Sequence, residues 1–85
     1  MYVILSYDVS HNHQKFLYVI REYLFSVLES SFEGEMTQTQ LEEMLGRIKP
    51  LLEEEDGFAI YIIDSKKSIK TISLGKKSLK DNLLL

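Results

Sequence analysis

Three side chains capable of chemistry gather near the N-terminus of this 85-residue chain. Asp8 closes the apolar run "MYVILSY", and His11 and His13 follow within the next turn of chain. A carboxylate is a hard oxygen donor of the kind Mg²⁺ accepts, one or two at a time, with water and phosphate completing the shell. Imidazole titrates near neutrality and can pass protons or ligate a transition metal. With no cysteine, no third histidine and no H-E-x-x-H pattern, a zinc site has no support. Glu33 and Glu35 share one face if their segment is extended. Ser30 and Ser31 lack a G-x-S-x-G context, and the four isolated glycines (Gly34, Gly46, Gly57, Gly75) make neither a P-loop nor a dinucleotide fingerprint. Asp8 is therefore the main candidate. It suits two roles, acceptor for the N-terminus of the next helix or ligand to a hard cation. One carboxylate per chain is meagre for a metal site, but a twofold axis beside it would supply a second. His11 and His13 are candidate acid–base groups because they flank it.

Charge is unevenly distributed. Residues 1–64 hold four Lys or Arg against twelve Asp or Glu, whereas residues 65–85 hold six lysines against Asp81 alone. A local basic patch suffices for nucleic acid whatever the overall sign. Lys66, Lys67 and Lys70, with Lys15 near the histidines, are the candidate nucleic-acid contacts.

These side chains need a scaffold. Met1–Tyr7 reads as a strand that is apolar on both faces except at Ser6, which suits the middle of a covered sheet. Ser10 or Asn12 can cap the helix that follows, whose stripe runs Phe16, Ile20, Tyr23, Leu24, Val27, Leu28. The last of these also fit the start of a strand. Residues 30–36 read as one bent strand or two short ones reversing near Glu33–Gly34. Thr37 with Gln40 matches a capping box, opening a helix with Leu41, Met44, Leu45, Ile48, Leu51 and Leu52 on one side. Gly46 and Pro50 should end or bend it around Lys49. "EEEDG" (53–57) reads as a charged turn, Phe58–Ile63 as a buried strand, "DSKKS" as a hairpin connection and Ile69–Leu74 as a more polar strand. Tyr7, Phe16, Tyr18, Phe25 and Phe32 mostly fall at core-like spacings. The order β-α-β-(β)-α-β-β is the ferredoxin-like α+β pattern: a mostly antiparallel sheet, two helices on one face, and an extra C-terminal strand. Residues 1–75 form that domain and 76–85 a C-terminal tail expected to contact a partner.

A single core of this size gives only a few kcal/mol of net stability, and no disulfide can add to it, so a homodimer is expected. No apolar run approaches the roughly 18–20 residues that span a bilayer, and the N-terminus lacks the features of a signal peptide. The expectation is a cytoplasmic protein without membrane contact.

Two stretches carry a more specific likeness. "MYVILSYDVS" and, one helix later, "SSFEGEMTQTQLE" resemble the small CRISPR-associated endonuclease family of the spacer-acquisition module, the second protein of that numbered series. Tyr7-Asp8-Val9 matches its strand ending in Tyr-Asp-hydrophobic, Ser30–Glu35 its second motif, and "IYIIDSKKSIKTISLG" its closing hairpin. The resemblance implies a homodimer in which two Asp8 side chains face each other and hold Mg²⁺ or Mn²⁺, with endonuclease activity on RNA or duplex DNA. It also implies an adaptor that bridges dimers of the CRISPR integrase on duplex DNA, with Ile69–Leu74 and the tail crossing to a partner or touching the integrase. The sequence departs from the family where arginines often follow the carboxylate: here it reads "HNHQK". Glu29 adds negative charge nearby, so the adaptor role is weighted above cleavage. A toxin-type ribonuclease or a ligand-binding regulatory domain on the same fold is the alternative.

Overall fold

The computed structural model describes residues 1–64 and the strand 68–75. Its elements are β1 (Tyr2–Asp8), α1 (His13–Ile20), β2 (Phe25–Leu28), β3 (Ser31–Glu35), α2 (Gln38–Ile48), a 3₁₀ turn (Lys49–Leu51), β4 (Gly57–Asp64) and β5 (Ser68–Gly75). The five strands lie in the order β2-β3-β1-β4-β5, every neighbour antiparallel. The ferredoxin-like α+β architecture is thus present, extended by β5 along the β4 edge. Lys66, Lys67 and the tail 76–85 lie outside the described residues. Lys70 is placed on β5 opposite Ile62.

Alternation along β1 sorts the two faces of the sheet. Val3 and Leu5 are fully buried and join Phe32, Phe58, Ile60 and Ile62 beneath the helices, where Phe16, Ile20, Leu41, Met44 and Ile48 close the core. Tyr2, Ile4, Ser6 and Asp8 therefore belong to the other face. There they stand in register with Glu35, Glu33 and Ser31 of β3 and with Ile63, Tyr61, Ala59 and Gly57 of β4.

Helix α2 starts as its capping box requires: Thr37 Oγ1 accepts from Gln40 N–H at 3.1 Å, and Gln40 Oε1 accepts from Thr37 N–H at 2.9 Å. It ends at Ile48, just before Pro50, and its last turn tightens to 3₁₀ geometry.

At the end of the first helix the strand reading holds. The helix stops at Ile20, and Val27 and Leu28 lie in β2 with their side chains exposed. A continuous apolar run fits helical and extended periods alike, and the aromatic and β-branched residues at 25–28 take the strand. The reversal falls at Glu29–Ser30 rather than Glu33–Gly34, with Ser30 left-handed at φ 64°. Gly34 sits inside β3 because Leu24 packs close: a Cβ there would come 3.3 Å from Leu24 Cδ2. Neither suggested cap operates. Asn12 is left-handed (φ 52°), and its Nδ2 donates to Leu51 O at 2.9 Å, which ties the start of α1 to the end of α2. Tyr18 and Phe25 are exposed rather than core residues.

Candidate functional site

Asp8 is the last residue of the central strand, paired with Gly57 across β4 and exposed. Its placement follows from its neighbours. Tyr7 turns inward, its ring centroid 5.2 Å from Phe16 and 6.0 Å from Phe32, so Asp8 turns to the face away from the helices. Val9 is buried immediately afterwards, which fixes where the strand end stops.

The loop beyond it is held by a residue outside the expected site. Asp56, within the "EEEDG" segment read as a charged turn, is 1% exposed. Its Oδ1 accepts from Ser10 N–H at 3.0 Å and lies 3.3 Å from His11 Nδ1, while Oδ2 accepts from Glu53 N–H at 2.9 Å. Burial alone would raise this carboxyl. The backbone donors of Glu53 and Ser10, then the His11 ring and backbone, outweigh it and bring the pKa down to about 2. His11 responds in the opposite sense: the bond to Asp56 raises its pKa against a smaller desolvation effect, helped by the charges of Asp56, Glu55 and Glu53. The sequence signal for Asp56 was its position before the strand's first residue, three after a backbone donor. Three neighbouring glutamates hid it.

The other candidates scatter. The His13 ring lies 6.1 Å from that of Tyr7. Lys15 lines a groove between α1 and α2 with Tyr18, Arg47 and Pro50, on the helical side of the sheet and so across it from Asp8. Glu33 shares Asp8's face but accepts from Tyr2 Oη at 3.0 Å, towards the opposite end of β1. Among the described residues no three His, Cys, Asp or Glu side chains converge as a metal site. Asp8 fits a hard cation as a single oxygen donor, with other ligands coming from water, phosphate or a second chain.

The family described as "CRISPR associated protein Cas2" matches residues 1–71, which span Asp8, both histidines and every strand through the first half of β5. The chain belongs to the Cas2 family. It is 34% identical to the CRISPR-associated endoribonuclease Cas2 of Thermotoga maritima over 99% of both chains. It is 34% identical to the protein of the same name from Dictyoglomus turgidum, over 99% of this chain and 100% of that one. A solved Cas2 crystal structure superposes with a TM-score of 0.72 at 33% identity, covering 89% of this chain and 90% of the other. The likeness thus extends to the Cas2 fold as well as to the motifs around Asp8 and Phe32. In this single chain β5 folds back along the whole of its own β4, from Gly57–Gly75 to Asp64–Ser68.

Proposed function

We propose that this protein is a homodimeric adaptor of CRISPR spacer acquisition, bridging integrase dimers on duplex DNA, with a metal-dependent phosphodiesterase centre built from the Asp8 pair. The supporting observation is that Asp8 closes the sheet face opposite the helices, a face that also presents Ile4, Tyr61 and Ile63. A second copy packed there about a twofold axis brings the same strand end from each subunit together. The names of the Thermotoga and Dictyoglomus relatives favour the nuclease component.

In that centre the two Asp8 carboxylates would hold Mg²⁺ or Mn²⁺. A cation held there would supply water activation and neutralisation of charge on the phosphate. Asp8 itself would contribute negative charge and an oxygen donor at the strand end. The remaining grip on nucleic acid would fall to Lys66, Lys67 and Lys70 in the basic C-terminal region, whereas Lys15, across the sheet from Asp8, would meet it only away from that centre.

Two measurements test this. Purified protein is assayed for cleavage of RNA and duplex DNA with Mg²⁺, with Mn²⁺ and with chelator, beside Asp8→Ala; equal cleavage by the variant removes the metal centre. Co-expression with the neighbouring integrase, followed by a spacer-integration assay, tests the adaptor role. Integration that proceeds equally without this protein sinks it.

A further inference from the structure

The Asp56–His11 pair has the geometry of a proton-transfer device. An ionised carboxylate has no proton to give, so the hydrogen bond at 3.3 Å assigns the proton to His11 Nδ1. Nε2 is then the nitrogen that gains and loses a proton. The His11 side chain is 47% exposed, and Nε2 lies 3.7 Å from Glu55 Oε1, on a side chain itself 74% exposed. Asp56 Oδ1 also takes the Ser10 N–H and Oδ2 the Glu53 N–H, so the buried carboxylate cannot rotate without abandoning a donor. Backbone connectivity sets the pair at the strand end, since Asp56 precedes Gly57, the residue opposite Asp8.

We propose that Asp56 is a positioning residue that holds His11 with Nε2 outward, as the proton donor for phosphodiester cleavage at the Asp8 end of the sheet. This rests on the nuclease component of the proposed function. In the step, a water oxygen bonds to phosphorus and the bond from phosphorus to the leaving oxygen breaks. That oxygen keeps the electron pair and takes the proton from the imidazolium Nε2. The water's proton passes to solvent, and the neutral ring regains its own from solvent. Among the described residues the charged groups facing His11 are Asp56, Glu55 and Glu53, all acidic, and they favour the imidazolium this step requires.

Cleavage of a labelled RNA hairpin and a labelled DNA duplex in Mg²⁺ is followed against pH for wild type, Asp8→Ala, His11→Gln, Asp56→Asn and the His11→Gln/Asp56→Asn pair. Loss of a positioned proton donor costs roughly 10²-fold or more, so His11→Gln is expected to lose that much and to lack an alkaline limb. Asp56→Asn moves the alkaline limb to lower pH, and in the His11→Gln background it changes nothing further. Ring ¹⁵N shifts should report Nδ1–H in wild type and a mixture of tautomers in Asp56→Asn. His11→Gln changes an exposed side chain, so it remains informative if Asp56→Asn fails to fold. Asp8-dependent cleavage whose rate and pH profile survive His11→Gln overturns the proposal and leaves the metal centre standing. A wild-type protein that cleaves neither probe removes the nuclease component and this role together.

Discussion

At the scale of single residues, Asp56 matters to stability as well as to chemistry. Replacing it with alanine strands the N–H groups of Ser10 and Glu53, and each buried donor left without a partner costs about 1–3 kcal/mol. In a domain with a few kcal/mol to spare, Asp56→Ala should be largely unfolded, which circular dichroism reads directly. The pair also sets a pH window. His11 has a raised pKa, so its contribution is complete below its ordinary value of 6.5 and is lost as pH rises through the raised one. The Asp56 contribution is present above the ordinary 3.8 and is lost as pH falls through about 2. Thermal stability should therefore hold between these limits and decline above the His11 titration. His11→Gln should abolish that alkaline decline, and a melting profile that still falls in the variant would show another group responsible. Arg47, forked onto Glu22 at 2.8 and 3.0 Å, is the contrasting case. Both partners are well exposed, so the pair orients a loop and adds little stability.

At the scale of elements, α2 offers two opposed changes. Thr37→Ala removes half of the capping box and should cost about 1 kcal/mol, lowering Tm by roughly 4–8 °C in a domain this small. Gly46→Ala should raise stability by about 0.5–1 kcal/mol. A Cβ at that position meets nothing within 4 Å, so the helix gains propensity without a clash. Scanning calorimetry of the two variants checks both signs. Helix α2 was legible because its signals are local: a cap, a stripe and a proline. The boundary of α1 was not, since residues 23–28 satisfy two periods, and pairing of β2 with β3 decides between them. The position of Asp8 was readable from the strand pattern alone. The role of Asp56 was not, because its donors at Ser10 and His11 lie 46 and 45 positions away along the chain.

At the scale of the whole molecule, the question is what covers the sheet face opposite the helices. Ile63 is 38% exposed there, and the Tyr61 hydroxyl is buried with no hydrogen-bond partner among the described residues. If a second copy packs on this face, Ile63→Glu should shift the protein from dimer to monomer in sedimentation velocity. It should also make Tm independent of protein concentration, in contrast to wild type. An unchanged dimer would locate the contact elsewhere. The exposed side chains of β2 (Phe25, Val27 and Leu28) mark the opposite edge of the sheet, where its backbone groups lack a neighbouring strand among the described residues.

The sequence by itself determined the α+β order, the capped second helix, the covered central strand and the carboxylate at its end. Each rests on a pattern within a few neighbouring residues. Tertiary structure alone decided which face of the sheet Asp8 shares, where α1 gives way to β2, and that one acid in an acidic run is a buried anchor for the loop that follows Asp8. Those outcomes depend on pairings between residues distant in the chain. No local spacing encodes them, because the free energy that settles them arises only when the strands meet.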